Sequence, residues 1–319
     1  MSKIVIAGGA GFIGSNLSKR LLSDGHDVLV LDNLITSSRK NIEELEENPQ
    51  FTLFEHDVTN PIPEELTAEY VFHLASPASP NHHSHISYHS LPMQTMMVNT
   101  TGTLNLLNFA KNNNAKFLFA STSEIYGDPK EHPQKEEYRG NVSTIGPRSV
   151  YDEAKRFGET LTYYYLRDMD LDVKIARIFN TYGPNMHKDD LRMIAQFILQ
   201  AINNEPITIF GDGTQTRSLC YVEDLVEGLV RLMFYDNTKG AVVNLGNPEE
   251  HTVNEYAELV KKLTSSSSEI VHSEELPLDD PLRRCPDITR ASKMLSWEPK
   301  VGLSEGLTRM IDYLKSVNK

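Results

Sequence analysis

The stretch "KIVIAGGAGFIGSNL", Lys3 to Leu17, sets the architecture of the N-terminal half. A short apolar run with strand character leads into glycines at positions 8, 11 and 14, and an amphipathic run with helix character follows. Glycines so placed let the backbone turn tightly and approach a pyrophosphate, whose charge meets the free N–H groups of the helix start. A glycine pattern alone also fits an ordinary strand-to-helix turn, so its context has to decide. The next apolar run, "DVLVLDN", ends in Asp32, 18 positions past Gly14. A carboxylate there accepts hydrogen bonds from the adenosine ribose and repels a 2′-phosphate, which favours NAD over NADP. Asp57, closing "LFEHDV", fits a place near the adenine and equally a turn or cap carboxylate.

Outward from that stretch, strand-like and helix-like segments alternate: "FTLFEHDV", "YVFHLAS", "TTGTLNLLNFAKNNN", "KFLFAST", "YDEAKRFGETLTYYYLRDM" and "DVKIARIFN". The alternation predicts an α/β protein with a doubly wound parallel sheet of the Rossmann type, covered on both faces. After Asn180 the pattern loosens: helices at "LRMIAQFILQAINN", "EDLVEGLVRLMFY" and "VNEYAELVKKLTSSS", strands at "ITIFG" and "AVVNLG". These pieces suit a smaller, segmented α/β substrate-binding lobe. The NAD-binding domain is placed at 1–179 and about 214–238, the lobe at about 180–213 and 239–319. No internal repeat is visible, and "SSSS", Ser265 to Ser268, reads as a helix end.

The 319 residues and 39% hydrophobic content are enough for a substantial core. A formal charge of −13 argues against a general role on nucleic acid or anionic membrane, so any phosphate ligand has to be held locally. Cys220 and Cys285 are too few for a disulfide framework or a cysteine-based zinc site. No cleavable leader opens the chain and no apolar run reaches the ~20 residues of a membrane span, so a cytoplasmic place is expected.

Tyr151 and Lys155 in "YDEAK" stand four apart and project from one helix face. A tyrosine is a poor base at neutral pH, but a nearby ammonium and a cationic nicotinamide both favour its phenolate. The pair can then take a proton from an alcohol as hydride leaves for NAD. Ser121, Thr122, Ser123 and Glu124 close the strand "KFLFAST", at the sheet end where doubly wound folds bind ligands. Thr122 or Ser123 can bridge the reacting hydroxyl to Tyr151, while Ser121 suits a strand-end hydrogen bond. Glu124 carries more information, because hydride transfer alone needs no carboxylate beside the reacting carbon.

These residues resemble the extended short-chain dehydrogenase/reductase superfamily and, within it, the UDP-glucuronate decarboxylases. The segments "GGAGFIGSNL", "HLASPASP", "ASTSEIYGDP", "GPRSVYDEAKR", "ARIFNTYGP", "GDGTQTRSLCYVEDL", "NLGNPEEHT" and "RRCPDI" carry the likeness almost from end to end. A related 4,6-dehydratase is expected to have an Asp-Glu pair where this chain has Ser123-Glu124, and a 4-epimerase usually lacks the glutamate.

The resemblance implies a redox-neutral cycle on a UDP-sugar: oxidation at C4, loss of carbon dioxide, protonation at C5 and re-reduction to UDP-xylose, with NAD retained. It assigns catalysis to Thr122, Glu124, Tyr151 and Lys155, with Thr122 on the C4 hydroxyl and Glu124 organising the ring or a water. Around the cofactor it places Phe12 and Ile13 with Gly8, Gly11 and Gly14, then Asn33 beside Asp32 and Val58 beside Asp57. It adds Leu74, Ala75, Ser76 and Asn99 to the same site. To the substrate it gives Pro77, Ser123, Asn180, Arg192, Arg217 and Tyr221, together with Arg283 or Arg284, the spacing to "PDI" favouring Arg283. A homodimer is implied, the Tyr151 helix and the helix after Val98 pairing across it.

The chain departs from the pattern after "SPASP", where "NHHSHISYHSLPMQTMMVN" is several residues longer than usual. The departure bears on acid recognition, not on NAD binding. His82, His83, His85 and His89 have no cysteine and no ordered carboxylate spacing beside them, so an exposed, solvated loop and no metal are expected. Cys220, Ala154 and Cys285 read as packing variation. Two other readings keep the same fold: a 4-epimerase or dehydratase of another nucleotide sugar, and a noncatalytic NAD-binding regulatory protein, which would lack Tyr151, Lys155 or their hydroxyl partner.

Overall fold

A computed structural model describes residues 1–278 and 280–317. Its strands are β1 (Lys3–Ala7), β2 (Asp27–Asp32), β3 (Phe51–Glu55), β4 (Tyr70–His73), β5 (Lys116–Thr122), β6 (Val173–Ile178), β7 (Thr181–Tyr182), β8 (Ile207–Phe210), β9 (Thr216–Ser218), β10 (Cys220–Tyr221), β11 (Val242–Leu245), β12 (Glu250–Thr252), β13 (Ile270–Glu274) and β14 (Arg283–Arg284). Its helices are α1 (Phe12–Ser23), α2 (Pro92–Met97), α3 (Thr103–Asn112), α4 (Ser149–Met169), α5 (Met193–Ile202), α6 (Val222–Phe234), α7 (Val253–Thr264), α8 (Thr289–Leu295) and α9 (Leu303–Val317).

Seven strands make one parallel sheet in the order β11-β6-β5-β4-β1-β2-β3. The order runs outward both ways from β1 and β4, so a crevice opens between the carboxyl ends of those two strands. On one face α1, α6 and α8 bury Leu17, Leu21, Leu225, Leu229 and Leu295; on the other, α3 and α4 bury Leu106, Phe109 and Tyr165 against the sheet. Covered on both faces, the strands read as near-continuous apolar runs. A second core joins α5, α7 and α9 through Phe197, Ile198, Val260, Leu307 and Ile311.

Three expectations change. Val242–Leu245, assigned to the second lobe, is the edge strand of the main sheet and pairs in parallel with β6, Val242 opposite Ile175. The cause is α6, which packs on the sheet and returns the chain for one more parallel strand; the local pattern of a short apolar run cannot show which sheet it joins. The helix expected from "TTGTLNLL" starts earlier, at Pro92, a proline suited to a first helical turn, and passes through a π-helical turn at Val98–Gly102. Finally, the His-rich segment is not simply an exposed loop. His82, His83 and His85 are exposed, but Asn81, Ser84, Ile86, Ser87 and Tyr88 are buried. Ser79 and Ser84 donate to the carbonyls of Asp190 and Asp189, which pins the segment to the second core's edge. Among the described residues, no helix is long and apolar enough to cross a membrane.

Candidate active site

The glycine turn is held open by close backbone approach. Gly8 has φ +81°, and a Cβ there would lie 2.6 Å from the Ala75 nitrogen; a Cβ on Gly14 would run into the Gly8 carbonyl oxygen. No side chain caps α1, so its first-turn N–H groups face the cleft. Asp32 is occupied on both oxygens, accepting from Ala10 N at 3.0 Å, Leu34 N at 2.9 Å and the Ser37 hydroxyl at 2.8 Å. It thereby ties the glycine turn to the end of β2.

Asn33 donates to Asp57 at 3.1 Å, and Asp57 also accepts from Thr59, closing a turn while it lines a cavity beside the glycine turn. Asn33, Asp57, Val58, Ala75 and Pro77 line a cavity of about 280 Å³, which meets the main cleft of about 630 Å³ at Gly8, Gly11, Leu74 and Ser76. Phe12 and Ile13 line the main cleft. Pro77, expected at the substrate, lines the smaller cavity together with residues expected at the cofactor. Asn99 lines neither cavity; from the π turn it donates to the Ser76 hydroxyl at 2.9 Å and steadies that lining residue instead. An open, glycine-only cradle with uncapped N–H groups beside an acid-ended β2 fits a dinucleotide.

At the other end of the cleft, β5 delivers Thr122, Ser123 and Glu124, and the first turns of α4 deliver Tyr151 and Lys155. Thr122 caps the 3₁₀ turn that begins at Ser123 by accepting from Glu124 N at 3.2 Å. Ser121 is a structural residue: it donates to Glu159 at 2.5 Å, and Glu159 in turn pairs with Arg177. Lys155 donates to the Ala120 carbonyl at 2.7 Å and lies 5.8 Å from the centre of the Tyr151 ring. Burial lowers the Lys155 ammonium to about 7, against the pull of Glu159. Burial, and then the charge of Glu124, push the Tyr151 phenol up, while Thr122 and Arg192 draw it down.

Glu124 is buried in a cationic clamp. Burial by itself would raise its carboxyl, but Arg148 at 2.7 Å and Arg284 at 3.5 Å outweigh that and hold it low. The Tyr88 hydroxyl donates to the same carboxylate at 3.3 Å. Asp280 bridges Arg148 at 3.1 Å and Arg217 at 2.6 Å.

The candidates for the nucleotide sugar divide. Ser123, Asn180, Arg192 and Arg217 line the cleft, Arg192 paired with Asp190 at 2.9 Å. Arg283 does not: its side chain is 60% exposed and points to Glu250, whereas Arg284 is buried and faces Glu124. Consecutive residues of β14 point to opposite sides, so a one-residue choice from spacing to "PDI" selected the wrong side. Tyr221 also lies outside the cleft, packed edge-on against Tyr182 in the second core with Arg309 over its ring. Arg148 and Tyr88 are the residues sequence reasoning missed. Arg148 precedes Tyr151 by three, a spacing that places both on one side of a helix, but nothing local marks Tyr88. The His-rich loop also acquires a carboxylate invisible in its own sequence: Glu274 of β13 lies 3.1 Å from His83 and 3.7 Å from His82.

A dinucleotide cradle on a doubly wound sheet, ending at a Tyr-Lys pair, defines a nicotinamide-dependent enzyme. Residues 4–246 match the model of the NAD dependent epimerase/dehydratase family, and the chain belongs to that family. Within it, the chain belongs with the UDP-glucuronic acid decarboxylases. It is 48% identical to UDP-glucuronic acid decarboxylase 1 of Xenopus tropicalis over 98% of this chain and 72% of that protein. It is 50% identical to UDP-glucuronic acid decarboxylase 5 of Arabidopsis thaliana over 97% of this chain and 88% of that protein. Among solved structures, the UDP-glucuronic acid 4-epimerase of Bacillus cereus, in complex with UDP-glucuronic acid and NAD, superposes with a TM-score of 0.87 at 30% identity, covering 99% of both chains. NAD is the cofactor of this enzyme.

Proposed function

We infer that the protein converts UDP-glucuronic acid to UDP-xylose and carbon dioxide through a 4-keto intermediate, a lyase reaction with no net redox change. The observation that carries this is Glu124, clamped between Arg148 and Arg284 at the end of β5, beside Tyr151. Decarboxylases at about half identity supply the substrate.

Bound NAD supplies the acceptor for the C4 hydride and gives that hydride back. The protein's own groups do the rest. Thr122 holds the C4 hydroxyl, and Tyr151 takes its proton, helped by the adjacent Lys155 and the cofactor's positive charge. Once C4 is a carbonyl, the electrons of the C5–C6 bond pass into an enolate and carbon dioxide leaves. Glu124, fixed by its two guanidiniums, orients the ring or a water for protonation at C5. Tyr151 then returns its proton to O4. Arg192, Arg217 and Asn180, which line the cleft, face the diphosphate and sugar.

A 4-epimerase on the same substrate remains the alternative, because the Bacillus cereus neighbour is an epimerase. UDP-glucuronic acid labelled with carbon-13 at C6 separates the two: release of the label as carbon dioxide is expected, and full retention in a hexuronic acid would reject decarboxylation.

The enzyme is proposed to be a homodimer. Met93 and Met97 on α2, Leu104 on α3, and Phe157, Tyr163 and Tyr164 on α4 are exposed apolar side chains suited to pairing with a second copy. Light scattering after size exclusion is expected to give a dimer, and Phe157→Glu a monomer. The two buried free cysteines suit a reducing compartment such as the cytoplasm.

A further inference from the structure

His82, which lines the cleft, forms with His83 and Glu274 a group whose three metal-ligating atoms lie within 4.8 Å of one another. The His83 Nε2 is 3.1 Å from one Glu274 oxygen and 3.4 Å from the other, and the His82 Nε2 is 3.7 Å from the second. Neighbouring ligand atoms around a tetrahedral zinc ion sit about 3.3 to 3.5 Å apart, so small side-chain movements close this set on an ion. The histidine run carries no such signal by itself, because its carboxylate comes from β13, 191 positions from His83.

The local structure holds the three side chains together. Consecutive side chains of an extended segment point apart, but the chain turns at His82 and His83, and their rings lie 4.0 Å from each other. Asn81 fixes that turn, accepting from His83 N at 2.9 Å and donating to the Leu191 carbonyl at 2.7 Å. His82 stacks on Phe210 of β8 at 6.1 Å, and Phe210 is the register partner of Glu274 in β13. The aromatic surface under His82 and the carboxylate beside it thus belong to one two-stranded ribbon. All three side chains are open to solvent, which gives an ion a way in. Two imidazoles and a carboxylate, with a fourth position left to water, suit zinc; magnesium and calcium prefer all-oxygen shells. The other such group among the described residues, His132, Glu250 and Cys285, is less suited. There Glu250 already accepts from Thr216, and the buried Cys285 thiol donates to the Pro248 carbonyl.

We propose that His82, His83 and Glu274 bind a zinc-type dication that ties the His-rich segment to the ribbon of β8 and β13. The ion takes the place of the direct contact between His83 and Glu274 and draws His82 into it. The segment thereby gains an anchor besides the bonds of Ser79 and Ser84 to the carbonyls of Asp190 and Asp189. The same segment carries Tyr88, which meets Tyr151 and Glu124, so the ion binds the element that shapes the catalytic end of the cleft. The metal site stands whichever reaction the cleft performs.

Calorimetric titration of untagged, chelator-treated protein with Zn2+, and separately with Mg2+, tests the site. One Zn2+ per chain is expected, and no Mg2+ binding at the same concentrations. His83→Ala and Glu274→Gln change exposed side chains, so both should melt with metal-free wild type. Each should bind Zn2+ at least ~10- to 100-fold more weakly, while His132→Ala binds it like wild type. Amide hydrogen exchange at residues 81–88 and 270–274 should slow when Zn2+ is added to wild type, and not in His83→Ala or Glu274→Gln. Absence of Zn2+ binding to wild type, undiminished binding by either variant, a loss confined to His132→Ala, or Mg2+ binding as tight as Zn2+ would overturn the assignment. Zn2+ binding that needs these residues yet leaves exchange in β13 unchanged would overturn the tie between segment and ribbon.

Discussion

Tyr88 and Tyr151 lie face to face, their ring centroids 4.9 Å apart and their planes 9° apart. The stack joins the His-rich segment after β4 to the side chain proposed as the base. The Tyr88 hydroxyl also reaches Glu124, so one residue contacts both groups on which the chemistry depends.

Removing that hydroxyl and removing the ring should therefore differ. Tyr88→Phe keeps the stack and loses one hydrogen bond to a charged acceptor, an expected cost of ~1.5–3 kcal/mol in stability. Tyr88→Ala opens a cavity beside Tyr151, and about 3–5 kcal/mol is expected, with a larger fall in kcat than for Tyr88→Phe. Chemical denaturation and steady-state kinetics on the two variants check this. Equal kinetic losses would mean that the stack does not position Tyr151.

Lys155 illustrates stability given up for function. Its folded pKa, lowered to about 7 by burial, lies below its unfolded value, so the unfolded chain binds more protons between the two. Stability from this group thus rises with pH across that window, and below it the full cost of a buried charge is present. Lys155→Met should be inactive yet gain most over wild type near neutral and acid pH, with the gain shrinking as pH approaches ~10. Urea denaturation of both proteins across that range measures the difference; a gain that grows with pH would contradict it.

The two neighbouring arginines of β14 give a sharp contrast. Arg284→Ala leaves the buried Glu124 with one guanidinium fewer and should cost ~3–5 kcal/mol of stability and most of kcat. Arg283→Ala removes an exposed charge 3.9 Å from Glu250 and should change stability by at most ~1 kcal/mol, with activity retained. Melting and turnover of the pair test the assignment, and a reversed order would restore Arg283 as the substrate residue.

Gly14→Ala tests the cradle. The new methyl group would strike the Gly8 carbonyl, so the turn must open. Loss of copurified NAD and a lower melting temperature are expected together. A variant that held NAD as tightly as wild type would show that the glycine is dispensable there.

What was legible in the chain, and what was not, follows from the range of the forces involved. The glycine turn, Asp32 and the Tyr151–Lys155 pair are set by φ angles and helix spacing within a few residues, and these patterns are written locally. Arg284 reaches Glu124 across 160 positions, and Tyr88 reaches it across 36, through the folding of separate segments. No local period encodes such meetings. Tyr221 was misplaced because a motif name does not say which side of a two-residue strand faces the cleft. Val242–Leu245 looked like any short apolar strand until its pairing with β6 gave it a sheet.

The measurement that goes straight to the central claim is proton NMR of the purified protein with UDP-glucuronic acid and no added NAD, following the anomeric signals. The account predicts that the UDP-xylose signal replaces that of the substrate, the retained cofactor being enough. Appearance of UDP-galacturonic acid in its place, or no change even after NAD is added, would contradict it.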